Sequence, residues 1–412
     1  SEMCIRDSFL AVRAPKNSHP GPGWRLTIGA MPDSPTLTHL LDQVRTAIAE
    51  RSPLQIRGGG SKDFVGTIQP ARLLDTRGHR GILDYAPSEL VVTVAAGTPL
   101  AELEAALAEK GQCLPFEPPH FVWSVGGGAT VGGMVASGLA GPARATAGSV
   151  RDYVLGLQCI NGKGEHLSFG GQVMKNVAGY DVSRLMAGAM GTLGVITQVS
   201  LKVLPVAPAE ATLVFGLDQA SALEHLHRWG GQPLPLNASC WVHDPTAPGG
   251  GRDLLFVRLR GAVAAVESAC RKLLAEVPGE RMDNAQAGPD WALCRDQRLP
   301  FFADVDAPEL ALWRLSVAPT APVLNLPWPQ LVEWQGGLRW LWAPQQAGAQ
   351  LQAAARAAGG NATVFVAARA DSTRAGCQFD AKNAARDAIA RRLKAAFDPL
   401  GLFNPGRLCA EL

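Results

Sequence analysis

Between Pro53 and Pro205 the chain places three glycine-dense loops at the ends of strand-like apolar stretches. The first is Ile56-Arg57-Gly58-Gly59-Gly60-Ser61-Lys62. The second runs from Ser124 to Gly141 with an echo at Gly148-Ser149-Val150, and the third is Gly191-Thr192-Leu193-Gly194-Val195-Ile196-Thr197. Glycine costs stability inside regular structure, so dense clusters mark backbone that needs positive φ or must lie close to something else. One such loop is an ordinary turn. Three in one stretch of chain point to a large, flat, phosphate-bearing cofactor lying along the backbone.

The composition narrows the class of partner. With 412 residues the chain is long enough for two domains, each with its own core. A net charge of +2 and 18% charged residues give no field suited to nucleic acid, and no Lys/Arg run is present. The eight cysteines, from Cys4 to Cys409, have no CxxC pair and no regular spacing. That excludes a cysteine-run iron–sulfur cluster and most zinc sites, and suits reduced thiols acting as small hydrophobes in a cytoplasmic setting. No stretch approaches the roughly 18 apolar residues of a membrane helix. Residues 1–30 are Pro/Gly-rich and aperiodic, without a signal-peptide layout, and Met31 precedes a helix start. They read as an extension outside the fold.

Periodicity organises the rest. Leu37, Leu40, Leu41, Val44 and Ile48 make one helical stripe after an N-cap at Ser34. Strands are expected at 54–56, 82–85, 90–95, 154–160, 165–169 and 195–203, with a helix opening at Thr98-Pro99 and closing at Gly111. The composition shifts after Pro205–Pro208. Strands at 211–217, 239–243, 254–259, 312–317, 338–342 and 363–367 then alternate with helices at 219–229, 262–276 and 346–357. The fold class is α+β, with a cofactor domain over 31–206 in two α/β lobes and a second domain over 207–380. That second domain reads as an antiparallel sheet backed by helices, serving as a cap toward substrate or partner. An amphipathic helix at 382–396 and the turn-rich tail Asp398–Arg407 form a segment, 381–412, that packs back on the first domain.

The motifs exclude two nucleotide sites. The Arg57–Lys62 loop is either a surface turn or an anion-binding nest to which Ser61 adds a hydroxyl and Lys62 a charge. It lacks the Gly-x4-Gly-Lys-Ser/Thr of an ATPase loop. From Gly126 and Gly128 the third glycine of a dinucleotide fingerprint falls due at Val131, so a Rossmann NAD site is excluded too. Gly132-Gly133 and Ser137-Gly138 can lie against a planar ring.

The ordered set RGGGSKDF, DYAPSELVVTVAAGTPLAELEAALAEKGQCLP, TVGGMVASG, GSVRDYVLG, KNVAGYDVSRL, GTLGVIT and FDPLGLFNPGRL resembles the vanillyl-alcohol-oxidase-type (PCMH-type) FAD-binding flavoproteins. Within them it looks most like the FAD-binding subunits of bacterial glycolate oxidase. The match spans about 53–206 and 397–408 and is loose over 207–380. The resemblance implies that Arg57, Gly58, Gly59, Gly60, Ser61 and Lys62 wrap the FAD diphosphate. It implies that Gly132, Gly133, Ser137, Gly138, Gly148, Ser149 and Asp152 surround the ribityl chain and ring. Gly191, Gly194, Val195 and Ile196 would meet the ribityl–adenine side. Covalent relatives carry a histidine in the first loop; none lies between Arg57 and Gly66, so FAD is expected to be non-covalent.

The implied function is the FAD-binding subunit of a multi-subunit 2-hydroxy-acid (glycolate or D-lactate) oxidase or dehydrogenase. Its partners would be a second, catalytic flavin subunit and an iron–sulfur subunit, with a peripheral place at the inner membrane through the complex. The alternatives are a self-sufficient FAD-dependent oxidoreductase of a small hydroxy acid or sugar lactone, and a flavin subunit that relays electrons or is structural. Oxidising a hydroxy acid needs a base and a carboxylate clamp. Arg314 and Arg339 are the clamp candidates, because a guanidinium fork pairs with both carboxylate oxygens. No catalytic base is assigned. His225 and His227 sit two apart in a helix, which turns the rings away from each other and leaves no metal pair. No histidine-rich cluster is present, and Trp340 and Trp342 read as core.

Overall fold

The computed structural model describes residues 34–122, 127–171, 181–245, 251–302, 307–369 and 384–408. The 1–30 extension, the KNVAGY stretch at 175–180, the start of the second glycine loop at 124–126, and Cys4, Cys377 and Cys409 lie outside the described residues.

The chain is α+β, built among the described residues on a five-stranded and an eight-stranded antiparallel sheet, a small parallel pair, and an antiparallel pair of Gln112–Cys113 with Leu204–Pro205. The helix Pro35–Glu50 buries Leu40, Val44 and Ala47, one stripe at helical spacing. It packs on the parallel strands Leu54–Arg57 and Arg72–Asp75. The five-stranded sheet runs in the order Ile82–Ala86, Val91–Ala95, Val195–Lys202, Val154–Ile160, His166–Gly170. Its central strands are rich in valine and isoleucine, and both Val91–Ala95 and Val195–Lys202 are largely buried on both faces. The helices Leu100–Ala108 and Val131–Ser137 cover one side and complete its core.

The eight-stranded sheet runs in the order Gly279–Met282, Ala209–Phe215, Arg252–Gly261, Leu236–Asp244, Gln330–Glu333, Leu338–Pro344, Leu310–Ser316, Asn361–Val366. One face is backed by helices. Gln219–Gly230 and Val263–Glu276 cover one end, and Gly348–Ala357 covers the other. The opposite face turns toward the glycine loops. There Leu331, Leu338, Trp340 and Phe365 share a core with Val65, Phe121 and Met190.

The C-terminal helix Ala384–Phe397 and the residues after it close the parallel pair. Leu54 donates its N–H to the Leu402 carbonyl at 2.7 Å, and Asn404 donates to the Leu54 carbonyl at 2.9 Å. Phe403 is fully buried beside Leu54. An ion pair holds this turn: Lys394 Nζ reaches Asp398 Oδ2, the Thr192 carbonyl and the Phe403 carbonyl at 2.8, 2.8 and 2.9 Å. Asp398 accepts in addition from the N–H groups of Leu402 and Phe403. Removing one partner of a buried pair strands the other charge. Asp398→Ala is therefore expected to lower the unfolding free energy by about 3–5 kcal/mol, read by urea denaturation, and an unchanged midpoint would show that the tail lies outside the cooperative unit.

Candidate functional site

The strand Leu54–Arg57 delivers the first glycine loop, and the loop is built for contact. Gly59 and Gly60 are buried, and the Gly59 carbonyl accepts from Gly127 N–H at 2.6 Å. A Cβ at Gly59 would overlap the carbonyls of Gly127 and Gly128, and one at Gly58 would overlap the Thr130 hydroxyl. Gly60 has φ +80°, a region costly for other residues. Arg57 folds back over the loop and bonds Asp63 at 2.7 Å. The amides of Gly59 and Gly60 donate to no partner among the described residues. Consecutive amides of this kind, left unspent, make an anion nest.

Two joined cavities of about 80 and 60 Å³ open along this loop. They share Ile56, Gly58, Gly133, Ala136, Met190 and Asn404. The first is walled by Arg57–Asp63, Gly133 and Ser137, the second by Gly132, Gly133, Gly191, Gly194 and Ile196. All three glycine clusters thus meet at one cleft. Gly132 also serves packing, since a Cβ there would press on Ala96 at 2.7 Å. The remaining candidates stand apart from these walls. Val195 is in the core with Leu40 and Leu54. Gly138 ends its helix at φ +63° against Gly188, and Gly148 has φ +89° beside Asp152. Asp152 accepts from Ser149 N–H and Oγ at 2.8 and 3.0 Å, so both side chains are used in their own turn.

Two cleft residues went unassigned in the sequence. Asn404 accepts from Ile56 N–H and donates to the Met190 carbonyl, both at 2.7 Å, which ties the first strand to the third glycine loop. Arg407 donates to the Lys62 carbonyl at 2.9 Å. Their only local signal is the Asn-Pro-Gly turn, with Asn404 at φ +42°.

Lys62 brings the charge. It is buried, touches Ser61 Oγ at 3.2 Å, and has no carboxylate at ion-pair distance among the described residues. Burial pulls its pKa down to about 8, against a smaller opposing pull from Asp296. Its Nζ lies 5.4 Å from the centre of the Phe121 ring.

Phe121 is also a wall of a second, smaller cavity, set under the eight-stranded sheet. Register decides which side chains face it. Arg314 pairs with Trp340, Glu333 with Leu338, and Cys240 with Glu333, which puts all five on one face. Glu333 is 4% exposed and accepts from Trp340 Nε1 at 2.7 Å and Cys294 Sγ at 3.2 Å. Burial pushes its pKa up to about 7, outweighing those two bonds and Arg314. Arg314 lies 5.1 Å from the Trp334 ring centre and 6.0 Å from that of Trp340. It is enclosed by protein, its remaining surface facing the cavity, and desolvation lowers it to about 10.

Arg339 goes elsewhere. It pairs with Leu315 and Val332 on the opposite sheet face, where its guanidinium donates to the carbonyls of Gly336 and Ala321 at 2.9 and 3.2 Å. The structure brings Arg314 toward the glycine loops and does not bring Arg339. The helical histidines diverge as well: His227 bonds the Pro319 carbonyl while His225 stacks on Trp229. Among the described residues no three His, Cys, Asp or Glu side chains gather as metal ligands.

The fold and the cleft define an FAD-binding protein, and the family model described as an FAD binding domain matches residues 36–170. The chain is similar to the glycolate oxidase subunit GlcE of Escherichia coli K12, 45% identical over 373 residues, which cover 90% of this chain and 97% of that one. The chain belongs to that subunit's family of FAD-dependent oxidoreductases. It is 29% identical over 224 residues to the glycolate oxidase subunit GlcD of Bacillus subtilis, covering 51% of this chain and 47% of that one. Among solved structures, 4-ethylphenol oxidase from Gulosibacter chungangensis shares the fold at TM-score 0.65 and 13% identity, over 90% of this chain and 87% of that one.

The residues fit the cofactor. The close backbone approaches and, among the described residues, the unspent amides of Gly59 and Gly60 and a buried lysine lacking an ion-paired carboxylate are what a diphosphate requires. A phosphate in the cleft raises the Lys62 pKa, so flavin should be held more weakly as pH rises through about 8. Lys62→Met is expected to weaken flavin retention by roughly 10- to 100-fold, one charged hydrogen bond's worth, and to flatten that pH dependence. Fluorescence titration of the flavin-free protein reads both.

Proposed function

We propose that this chain is the FAD-binding subunit of a multi-subunit 2-hydroxy-acid oxidoreductase acting on glycolate or D-lactate. The observation that carries the reading is the meeting of the three glycine clusters at one cleft beside Lys62. In it, Arg57 to Lys62 hold the diphosphate through amides and the lysine charge. Gly132, Gly133 and Ser137 lie along the ribityl chain and ring, and Gly191, Gly194 and Ile196 along the ribityl–adenine side. Gly138, Gly148, Ser149 and Asp152 shape the turns that follow the ring site, and Val195 anchors the third loop in the core. Bound FAD supplies a two-electron acceptor for oxidising a hydroxy acid to an oxo acid.

The chain's own residues set the conditions for that chemistry. Ala96, Ala136 and Met190 line the cleft with apolar surface, which limits water near the ring site. With no histidine between Arg57 and Gly66, the cofactor is held non-covalently, so acid precipitation should release all flavin into the supernatant. Two relatives are named as subunits of glycolate oxidase, which supports a multi-subunit complex; in this reading the partners are a second flavin subunit and an iron–sulfur subunit that takes the electrons onward. A peripheral place at the inner membrane would come through those partners. No helix among the described residues is long and apolar enough to cross a membrane. The division into a cofactor domain at 31–206, a cap at 207–380 and a closing segment at 381–412 belongs to the same reading.

A self-sufficient oxidoreductase is the second reading, favoured by the Arg314–Glu333 cavity beside the cleft. Purified alone and mixed anaerobically with glycolate or D-lactate, the chain is expected to show bound flavin whose absorbance bleaches slowly or not at all. Bleaching at turnover rates would establish the second reading, and absence of flavin would defeat both. Gly133→Val separates folding from binding. A Cβ at 133 meets only the Thr130 hydroxyl, at 3.1 Å, while the added methyls enter both cavities. The variant should keep its unfolding midpoint and lose flavin; flavin retained at native level would place the ring elsewhere.

A further inference from the structure

Among the described residues Arg314 is a charge without an ion-pair partner within 4 Å. Its guanidinium sits between the rings of Trp334 and Trp340, and among the described residues no hydrogen bond or ion pair within 4 Å engages it. A half-buried guanidinium in this state carries a desolvation cost that no hydrogen bond among the described residues offsets. Its two rings and the cavity leave the fork open on one side. Facing the same space is Glu333, whose carboxylate accepts from Trp340 and Cys294 but makes no ion pair with Arg314.

We propose that the cavity under the eight-stranded sheet binds a small carboxylate on the Arg314 fork, and that this binding is coupled to protonation of Glu333. The ligand's identity as a 2-hydroxy acid such as glycolate rests on the function proposed above; the carboxylate class rests on Arg314 alone. The space open to the centres of water molecules is about 20 Å³. That admits one or two waters, which is room for a carboxylate head and requires the rest of the acid to be short. Phe121 links this space to the first cleft: it lines the cavity, and Lys62 of the cleft lies over its ring.

The coupling follows from the groups that face Glu333. From its own sheet come Arg314, Trp340 and Cys240, and from the helix Asn284–Arg295 comes Cys294. Arg295 also lines the cavity, but it is paired with Asp296 at 2.8 Å. A further carboxylate whose charge acts on Glu333 is Glu117. Burial would raise it, yet Arg258 at 2.6 Å and Arg260 at 3.1 Å outweigh burial and keep it below the usual range. Arg144, over the Trp334 ring at 4.6 Å, adds a second positive charge near Arg314. Arg314 is thus the only member of this set that lowers Glu333 by direct charge. An anion on Arg314 cancels that pull and adds its own repulsion, so the complex holds its proton more tightly than the free site.

The sign is then fixed. With the free site titrating at about 7 and the complex above that, binding above neutral pH takes up close to one proton. Affinity falls by up to tenfold for each pH unit above about 7. A protonated Glu333 offers its O–H to the ligand, which makes it a positioning residue; a group that gains a proton on binding is not the proton acceptor for the hydroxyl.

The test is calorimetric titration of the flavin-loaded chain with glycolate in buffers of different ionisation enthalpy, from about pH 6 to about pH 8.5. Flavin absorbance is recorded on every sample. The expected result is saturable binding, uptake of about one proton at the upper pH, and the stated fall in affinity. Glu333→Gln, which mimics the protonated acid, should bind with no proton uptake and no pH dependence in this range. Arg314→Met should lose binding while keeping its flavin, and Arg314→Lys, a charge without the fork, should weaken it at least tenfold. Three results would overturn the proposal: no binding by native protein that carries flavin, binding without proton uptake, or native affinity in both Arg314 variants. A native protein without flavin that still binds glycolate with proton uptake would sustain the cavity and sink the flavin reading.

Discussion

The cleft depends on one backbone-to-backbone contact, the Gly127 N–H donating to the Gly59 carbonyl at 2.6 Å. Two loops from distant parts of the chain touch there with no side chain between them, because a Cβ on Gly59 has no room. That closeness brings the helix Val131–Ser137 within reach of the first loop and sets Gly133 opposite Gly58 across Thr130. Everything else in the cleft braces this contact. Asn404 fixes the strand behind the first loop to the Met190 carbonyl, and Arg407 holds the Lys62 carbonyl from below. The C-terminal residues thereby contribute to a site whose glycine clusters all lie between Pro53 and Pro205.

The second constraint is the core shared by the glycine loops and the eight-stranded sheet. Phe121, Met190 and Val65 pack with Trp334, Trp340 and Phe365, and Trp334 Nε1 bonds the Gly141 carbonyl at 3.0 Å. Arg258, 3% exposed, bonds Glu117 across the same junction. Breaking such a buried pair is strongly destabilising, so the sheet face that carries Arg314 and Glu333 is held in place against the loops. The cavity and the cleft are neighbours because the junction between them is a packed core.

Much of this was legible in the sequence, and the parts that were not share a cause. Strands with alternating or continuous apolar runs, such as Val91–Ala95 and Val195–Lys202, and helices with a clear stripe, such as Pro35–Glu50, are local signals. The strand Gln330–Glu333 is four residues long between the Pro327-Trp328-Pro329 segment and the turn at Trp334–Gly336, and the helix Asn284–Arg295 contains Pro289, so neither shows a period of its own. Arg72–Asp75 and Gly279–Met282 are equally short edge strands. For the arginines, the sequence offered Arg314 and Arg339 on equal terms. Register separated them, since Arg314 lies opposite Trp340 while Arg339 lies opposite Leu315. Cys294 reads as a small hydrophobe, and it is buried, but its thiol serves Glu333. That partner lies 39 residues away and no spacing rule reaches it.

The central claim is that the backbone of the three glycine clusters holds the flavin. Hydrogen–deuterium exchange of the same protein with and without FAD tests it at the groups concerned. Slowed exchange is expected at the amides of 58–62, 132–138 and 191–196 in the FAD-bound protein, with the strands 209–215 and 252–261 unchanged. Slowing confined to the eight-stranded sheet, or none in the glycine clusters, would contradict it.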